Sequence, residues 1–483
     1  MSEKLAIIGS GFLGMTLALR LAQAGKDVTI FESTDQIGGL ASAWEIGDLV
    51  WDKHYHVTLA SDFYTRRLVG EIGLADDYQW VETKTGFYTD GELISMSDTK
   101  EFLKFPPLDL ISKLRLGFTI FYASRVKDWK QLETVSVEDW LTKLSGKKTF
   151  EKIWRPLLKA KLGEAYKNTS AAFIWATIQR MYAARRSGLK KEMFGYVRGG
   201  YARVLERFAE VLAAKGVDVR LNSPIDNVEK LENGKIRVSV RASRRRNDLN
   251  GRGAAQKPKY TTLQTAAVLA PGFSGVFLAE PLSNGANGYH EMGGDDSFDK
   301  VILTCPSNVA AKIAPQLTAA EKNGLDNVRY QGIVCASVLT KCSLSNFYVT
   351  NITDESPFTG VIEMSALVDK KEFGRNALIY LPKYVPPDDP LFERSDDEIK
   401  NVFLEGLERM YSHFSRKDVL AFKVSRVRQV FPLPTLNYSS SLPSTKTSVD
   451  GMYIVNASHI VNGTLNVNET VQLAEKFFEE TFA

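Results

Sequence analysis

The feature that most constrains the fold of this sequence is a glycine-rich turn near its amino terminus. Residues 5–8 have the continuous apolar pattern of a buried parallel strand. The strand is followed at once by Gly9, Ser10, Gly11, Phe12, Leu13 and Gly14. In such a motif the first glycine permits a tight turn, the second lets a pyrophosphate approach the backbone, and the third allows close packing of the next helix. Because the helix start also offers N–H groups to an anion, the pattern predicts a dinucleotide site.

A second apolar segment ends in an acidic residue at the distance that such a site requires. Residues 27–31 are predicted to be the next strand, and Glu32 follows 18 residues after Gly14. A carboxylate here accepts hydrogen bonds from ribose hydroxyls, with Ser33 beside it, and favours an unphosphorylated ribose. A purely structural glycine turn is the alternative, but the strand, the spacing and the acid together favour the dinucleotide.

The segment after the acid distinguishes FAD from NAD. It consists of Gly38, Gly39, Leu40, Ala41 and Ser42, and it offers a second flexible backbone against the phosphates. Together with the first glycine motif it resembles the flavin-dependent amine oxidase superfamily. That superfamily includes protoporphyrinogen oxidases, carotenoid-type desaturases and UDP-galactopyranose mutases. The resemblance implies FAD as the cofactor.

The resemblance continues in the middle of the chain. Gly199 and Gly200 precede a helical pattern, and residues 217–225 then have the pattern of a strand. In the superfamily such a strand passes the adenine, so the resemblance implies that Ile225 presents its backbone to the adenine edge. Residues 299–306 resemble the strand that returns to the dinucleotide domain. Either strand taken alone is also compatible with ordinary core.

The carboxyl terminus resembles the segment that closes over the flavin ring. The implied cofactor contacts are Asn456, Gly463, Leu465, Asn466 and Val467. A helix N-terminus aimed at flavin N1 and O2 would stabilise the anionic reduced flavin. The alternative is a plain structural helix, with Asn468 as the candidate cap.

Three departures from the superfamily bear on the reaction. Amine oxidases commonly carry a lysine beside flavin N5 on a strand that resembles residues 331–336, and Ala336 stands at the corresponding place. They also place an aromatic residue near Asn466, where this sequence has none, and Asn456 stands near the place of the usual acidic residue. Amine oxidation is therefore disfavoured, and a carbon-centred or redox-neutral reaction is favoured.

Histidines are the candidates for moving a proton at neutral pH. His54 and His56 follow the double glycine, where related proteins bring side chains near the flavin face. We assign His56, in preference to His54, to the active site and to the cofactor contacts. His459 is a second catalytic candidate. The alternative is a structural pair, with one histidine in solvent and the other in a satisfied hydrogen bond.

The central region, residues 105–186, is rich in bulky and cationic residues and resembles the substrate lobe of the superfamily. Its apolar residues at helical spacing either line a channel for an apolar substrate or form ordinary core. Arg180, Arg185 and Arg186 either bind a phosphate or carboxylate of the substrate or form a solvated helix end. We therefore expect a small-molecule substrate that is apolar or phosphate-bearing.

Charge and cysteine content exclude other classes of protein. A net charge of +4 is far from the basic excess of a nucleic-acid binder. Cys305, Cys335 and Cys342 form no CxxC pair and have no histidine at metal spacing, so neither a disulfide framework nor a metal site is expected. No apolar run approaches the roughly 20 residues that span a bilayer. We expect a cytoplasmic protein, with peripheral membrane contact and the oligomeric state left open.

These observations predict an α/β protein with a doubly wound, Rossmann-like FAD-binding domain built from discontinuous segments. An α+β substrate domain with a helical lobe accompanies it. The FAD-binding domain is assigned to residues 1–85, 195–240, 297–310 and 445–483. The substrate domain is assigned to residues 86–194 and 311–444, and residues 241–296 are predicted to be an inserted loop region.

The expected function is that of an FAD-dependent oxidoreductase. An oxidase, dehydrogenase or desaturase would transfer a hydride from an organic substrate to flavin N5, while the protein supplies orientation and electrostatics. One alternative is a redox-neutral isomerase or mutase that acts on a nucleotide sugar. Another is a protein that binds flavin without catalysis.

Overall fold

The structure is a computed structural model that describes residues 2–186, 193–241 and 296–483. Nearly all of the predicted insertion, and the side chains of Arg185 and Arg186, lie outside the described residues. The strands are β1 Lys4–Ile8, β2 Asp27–Phe31, β3 Ala43–Ile46, β4 Leu49–Asp52, β5 Thr58–Leu59, β6 Tyr78–Glu82, β7 Thr85–Thr89, β8 Glu92–Ser95, β9 Met193–Val197, β10 Asp218–Arg220, β11 Ile225–Lys230, β12 Ile236–Val240, β13 Asp296–Phe298, β14 Lys300–Leu303, β15 Tyr330–Thr340, β16 Val349–Ile352, β17 Gly360–Glu363, β18 Ala377–Val385, β19 Val419–Pro432 and β20 Met452–Ile454.

Helices connect these strands and build a separate lobe. They are α1 Phe12–Gln23, α2 Phe63–Glu71, α3 Thr99–Lys104, α4 Leu110–Ala123, α5 Trp129–Glu133, α6 Val137–Ser145, α7 Lys147–Thr149, α8 Arg155–Leu162, α9 Ala171–Arg186, α10 Gly200–Ala214, α11 Ser307–Ile313, α12 Ala319–Asp326, α13 Asp396–Met410, α14 Tyr438–Ser441 and α15 Val467–Thr481.

A five-stranded parallel sheet forms the centre of the first domain, in the order β10-β2-β1-β14-β20. Side chains of β1 alternate between two cores. Leu5 and Ile7 pack with α1, α10 and α15, whereas Ala6 and Ile8 pack on the other face against the sheet β11-β12-β13. Because both faces are covered, the strand needs the unbroken apolar run that the sequence shows.

The strands of this sheet come from distant parts of the chain, since β1 pairs with β14, which begins at residue 300, and β14 pairs with β20, which begins at residue 452. This arrangement confirms the predicted fold class, a doubly wound α/β domain assembled from discontinuous segments. All five strands lie inside the ranges 1–85, 195–240, 297–310 and 445–483 that the sequence predicts for the FAD-binding domain.

A seven-stranded mixed sheet forms the second domain, in the order β19-β15-β18-β17-β16-β7-β8. Its pairs are antiparallel except for β16 with β7. All eleven residues of β15 are buried, so this strand is the centre of the domain. Helices α3 to α9 form the lobe, which packs on the sheet at Phe431 and Leu433.

A buried ion network joins the last helix to the first domain. The guanidinium group of Arg20 in α1 donates to Glu71 of α2 and to Glu475 of α15, with contacts of 2.6 Å to each. Burial alone would lower the pKa of Arg20, but the hydrogen bonds to the two carboxylates raise it overall. The network therefore fixes the carboxyl-terminal helix against the dinucleotide domain.

Candidate functional site

The three glycines of the N-terminal motif have different surroundings. Gly9 adopts a φ of +112°, and a Cβ built there would lie 2.7 Å from Thr304 Oγ1. A Cβ on Gly14 would lie 2.0 Å from the carbonyl oxygen of Gly9. A Cβ on Gly11, in contrast, would meet no atom within 4 Å. The protein itself therefore requires the first and third glycines, while the second borders open space.

That open space lies in front of the amino terminus of α1. Gly11 is the N-cap residue, no side chain caps the helix, and its first turn contains no acid. The first N–H groups of a helix have no partner inside the helix, so they are available to an anion. Phe12 and Leu13, which were predicted to contact the cofactor, begin this helix and point their buried side chains into the core. The free N–H groups at the start of α1 fit a pyrophosphate.

The second glycine segment lies directly against the first. Gly38 pairs with Gly11 in a parallel bridge, and its N–H donates to the carbonyl oxygen of Ser10 at 2.9 Å. A Cβ on Gly39 would lie 3.4 Å from Gly11 Cα, and both Gly38 and Gly39 have positive φ angles. Leu40 and Ala41 continue as a 3₁₀ turn that ends at the buried Ser42. The two segments thus form one cradle, as the sequence predicts.

Glu32 stands at the carboxyl end of β2 with both carboxylate oxygens engaged. One oxygen accepts from the backbone N–H and the hydroxyl of Ser10, at 2.9 and 2.7 Å. The other accepts from the N–H and the hydroxyl of Thr34, at 3.0 and 2.9 Å, and from the hydroxyl of Ser33 at 3.2 Å. Glu32 therefore holds the glycine turn in place, a task that the sequence did not reveal. Its contact with a ribose stays a prediction.

The segment predicted to pass the adenine is hydrogen-bonded to the residues that directly follow β2. The N–H of Ser223 donates to the carbonyl oxygen of Glu32 at 2.7 Å, and the N–H of Asn222 donates to that of Thr34 at 2.8 Å. Ile225 begins β11 just beyond these contacts, and its side chain is buried in the core. Only its backbone is therefore available to an adenine, which is the form of contact that the resemblance implies.

Asn456 lies just after β20, at the carboxyl end of the parallel sheet, and its side chain is buried. The amide nitrogen donates to the carbonyl oxygen of Cys305 at 2.9 Å, and the amide oxygen accepts from the N–H and hydroxyl of Ser458. The protein itself satisfies this amide, so a flavin contact at Asn456 would have to come from its backbone.

The segment from Gly463 to Val467 is half-buried and leads into α15. Asn466 caps this helix, since its amide oxygen accepts from the N–H of Glu469 at 3.1 Å. The alternative assignment of Asn468 as the cap of its own helix is wrong. Its amide oxygen instead accepts from the N–H of Tyr64 at 2.9 Å, at the start of α2. Only the tertiary fold brings those two helices together.

The histidines occupy three different environments. The Nδ1 atom of His54 contacts the carbonyl oxygen of Leu40 at 3.1 Å, and Nε2 contacts the hydroxyl of Ser425 at 3.1 Å. Burial lowers the pKa of His54 to about 4, so the ring is neutral at neutral pH. His54 therefore connects the glycine cradle to β19 of the second domain.

His56 and His459 were the predicted catalytic residues. His56 packs on the ring of Tyr201, and its buried Nδ1 lies 3.7 Å from the carboxylate of Asp52 without a hydrogen bond. His459 accepts from the N–H of Asn456 at Nδ1, its Nε2 lies 3.3 Å from the carbonyl oxygen of Pro443, and burial lowers its pKa. His459 thus stabilises its own turn, and the catalytic role of each stays a prediction.

Tyr55, Tyr384 and Phe431 form an aromatic wall that packs against the helical lobe, and the sequence did not reveal it. The hydroxyls of Tyr55 and Tyr384 are 2.9 Å apart, and Tyr384 packs edge-on against Phe431 with ring centres 5.9 Å apart. Leu465 of the carboxyl-terminal segment packs on the same cluster as Phe431 and Tyr384. Tyr55 directly follows His54, so the wall lies next to the cradle. No local pattern connects residues so far apart in the chain.

Ala336, predicted to stand where amine oxidases carry a lysine, does not face the dinucleotide domain. Ala336 packs in the core on the far side of the sheet, against α13. The face of β15 that meets Trp51 and Tyr55 carries Ile333 and Cys335. The position facing the dinucleotide domain is therefore Cys335, because side chains alternate along a strand. No residue of β15 is a lysine, so the predicted absence stands at the corrected position.

The described residues contain no cluster of three or more histidine, cysteine or acidic side chains placed to hold a metal ion. Within the same residues, no helix is long and apolar enough to cross a membrane.

The parallel sheet, the double glycine cradle and the buried acid at the end of β2 define an FAD-binding fold of the doubly wound class. The model of the flavin containing amine oxidoreductase family matches residues 14–252 and 282–465. The chain belongs to this family, and its cofactor is FAD.

Sequence and structure relatives agree with this membership. The 15-cis-phytoene desaturase of Capsicum annuum is 25% identical over 256 residues, which are 49% of this chain and 43% of that protein. The matched region therefore spans less than half the length of this relative. A crystal structure of an oxidoreductase from Methanosarcina mazei has a TM-score of 0.68 at 15% identity and covers 99% of this chain and 100% of that one. Reduced UDP-galactopyranose mutase has a TM-score of 0.66 at 12% identity, with 100% and 97% covered. At these identities the structures show the fold.

Proposed function

We propose that this enzyme oxidises an apolar organic substrate at a carbon–hydrogen bond. The observation that carries the proposal is the wall of Tyr55, Tyr384 and Phe431 beside the glycine cradle, with Ile333 and Cys335, and no lysine, on the facing strand. When bound, FAD supplies the hydride acceptor at N5. A desaturase among the sequence relatives supports the same reaction class.

The proposed FAD contacts follow from the geometry. The cradle of Gly9, Ser10, Gly11, Phe12, Leu13, Gly14, Gly38, Gly39, Leu40, Ala41 and Ser42 would hold the pyrophosphate through backbone N–H groups. Glu32 with Ser33 would accept from the ribose, and the backbone of Ile225 would meet the adenine. The segment of Asn456, Gly463, Leu465, Asn466 and Val467 would close over the flavin, because Leu465 packs against the aromatic wall.

The protein residues then have separate tasks in the reaction. Tyr384 and Phe431 would orient the substrate by apolar contact and exclude water. Burial raises the pKa of Tyr55 to about 12, so its hydroxyl stays protonated. His56 would accept or return the proton at Nδ1, because this buried atom has no hydrogen-bond partner among the described residues and faces Asp52.

Anaerobic bleaching of the flavin absorption tests the reaction class. The purified protein is mixed with phytoene, an unsaturated fatty acid, putrescine and UDP-galactopyranose in separate experiments. We expect bleaching by an apolar compound and none by the amine, with Tyr384→Ala slowing the bleaching and Tyr88→Ala, a half-buried tyrosine of β7, serving as the matched control. Bleaching by putrescine alone, turnover of the sugar nucleotide only after prior reduction, or no bleaching by any compound would contradict the proposal.

We also infer that α4 contacts an anionic membrane surface, which would deliver an apolar substrate. Along one side of this helix, large apolar side chains are exposed: Ile111 by 72%, Leu110 by 64%, Leu114 by 63% and Phe118 by 54%. Their spacing places them in a single stripe. A stripe of this kind is typical of helices that lie in the interface of a bilayer.

The charges around the stripe support an anionic lipid surface as its occupant. No acidic residue occurs from 110 to 127. The exposed cations on and near α4 are Lys104, Arg115, Arg125 and Lys127. Cations beside an apolar stripe complement anionic lipid headgroups, each by about 1 kcal/mol.

Vesicle flotation tests the membrane contact. We expect the protein to float with vesicles that contain phosphatidylserine and much less with phosphatidylcholine alone. The variant Ile111→Ser/Leu114→Ser should lose flotation, whereas Leu420→Ser, at a residue of β19 that is 47% exposed, should keep it. Equal flotation of all three proteins, or a dimer in gel filtration that only the α4 variant loses, would contradict the membrane contact.

A further inference from the structure

Lys161 of α8 places a cation against the aromatic wall without a counter-charge. Its Nζ lies 3.8 Å from the centre of the Tyr384 ring and 5.0 Å from that of Phe431. No carboxylate among the described residues pairs with it, and burial lowers the pKa of its ammonium group to about 7. Lys161 as a whole residue is half-buried, and its ammonium lies against the two aromatic rings.

Gln331 of β15 is a second donor without a partner at the same place. Its side chain is 1% exposed, and its Nε2 makes no hydrogen bond with the described residues. Phe431 is its partner across the sheet. A Cβ built on Gly163, two residues after Lys161, would lie 3.8 Å from Gln331 Nε2. A lysine and an amide from two different elements thus converge beside Phe431. A buried polar group without a partner is costly, so this pair needs an explanation.

The two donors are connected to the cradle through the wall. Tyr384, which Lys161 covers, shares a hydrogen bond with Tyr55. Tyr55 follows His54, which contacts the carbonyl oxygen of Leu40 in the second glycine segment. Lys161 and Gln331 therefore lie beside the same aromatic wall that borders the proposed flavin site.

We propose that Lys161 and Gln331 bind an anionic oxygen group, a carboxylate or a phosphate, at one end of an otherwise apolar substrate. This inference rests on the proposed oxidation of an apolar substrate and specifies its polar end. An oxyanion would accept from Nε2 of Gln331 and give the lysine its missing counter-charge. A pure hydrocarbon would leave both donors unpaired, which costs free energy in a buried place.

Calorimetric titration of the flavin-loaded protein tests the inference with decanoate, decyl phosphate and 1-decanol as probes. The variant Lys161→Met removes the charge and keeps most of the apolar stem. Lys159→Met on the same helix is the matched control, because Lys159 pairs with Glu164 at the surface. We expect Lys161→Met to weaken binding of an anionic probe at least tenfold and to leave decanol binding unchanged. The control should bind all probes like the natural protein. The tighter of the two anions identifies the group.

The pH dependence and a second variant separate the proposal from a structural role. Binding of decanoate, which stays ionised in this range, should weaken as the pH rises through about 7, where Lys161 loses its proton, and it should be flat in Lys161→Met. The groups that face Lys161, Tyr384 with Tyr55 behind it, stay neutral there because burial raises the pKa of both. Gln331→Leu should also weaken anion binding selectively.

Several outcomes would overturn the inference. They are unchanged anion binding in Lys161→Met, equal weakening of the anions and of decanol, and no binding of any probe. A natural protein purified without flavin would contradict the proposed function instead, and calorimetry would still measure the anion site.

Discussion

Replacement of Gly11 by valine separates cofactor binding from stability. Gly11 has φ −66° and ψ 172°, an extended conformation open to any residue, and a Cβ there meets no atom within 4 Å. The loss of a glycine from the unfolded chain stabilises the fold by about 0.4–1 kcal/mol. The poorer N-cap costs about the same. We therefore expect the flavin-free variant to unfold within about 1 kcal/mol of the natural protein.

Flavin binding should change far more, because the added side chain occupies the space in front of α1. Each charge-assisted bond from a backbone N–H to the pyrophosphate contributes about 1.5–3 kcal/mol. Displacement of the pyrophosphate from two of them lowers the affinity for FAD by a factor of 100 or more. The assays are flavin content by absorbance and urea unfolding of the flavin-free proteins.

Gly14→Ala is the control for this prediction. Its Cβ would lie 2.0 Å from the Gly9 carbonyl oxygen, so it should destabilise the flavin-free protein by about 1–3 kcal/mol or more. A Gly11→Val protein that keeps stoichiometric FAD would refute the assignment of the cradle. If the flavin-free Gly11→Val protein were as unstable as Gly14→Ala, the conclusion that Gly11 borders open space would be wrong.

Other substitutions test the supports around the cradle. Glu32→Ala should weaken FAD binding by roughly 1.5–3 kcal/mol and also lower the free energy of unfolding, since Ser10 loses its acceptor; unchanged affinity would remove Glu32 from the site. Glu475→Ala should lower the free energy of unfolding by about 1.5–3 kcal/mol, because Arg20 loses charge-assisted hydrogen bonds but keeps Glu71, with an unchanged flavin spectrum; a loss below about 1 kcal/mol in urea would contradict this. His54 has a folded pKa of about 4 against an ordinary 6.5, so below pH 6.5 the unfolded chain binds a proton that the folded one does not. The free energy of unfolding should therefore fall from pH 6.5 to 4 less steeply in His54→Phe than in the natural protein, and parallel curves would contradict the shift.

The cofactor and the dinucleotide domain were predictable because their signals are local. The strand, the three glycines and Glu32 lie within the first 32 residues, and Gly9 and Gly14 meet constraints of the turn itself, since Gly9 has a φ of +112°. Gly14, for example, faces the carbonyl oxygen of Gly9. Local steric constraints of this kind leave a pattern in any sequence that satisfies them.

The substrate side of the site was decided by the tertiary structure. Lys161, Gln331 and Tyr384 meet across more than two hundred residues, and no spacing rule relates them. The packing of β15, and not its composition, decided on which face of the sheet Ala336 lies. A shift of one residue in register exchanges the two faces of a strand.

Capping shows the same division between sequence and fold. The sequence indicated that Asn468 is a capping residue but not which helix it caps. Its partner Tyr64 lies close to it only once α15 packs on α2. Likewise the sequence predicted a ribose contact for Glu32, whereas the fold decided that its oxygens hold Ser10 and Thr34. Local chain geometry is encoded residue by residue, and long-range contact is settled only when the whole core packs.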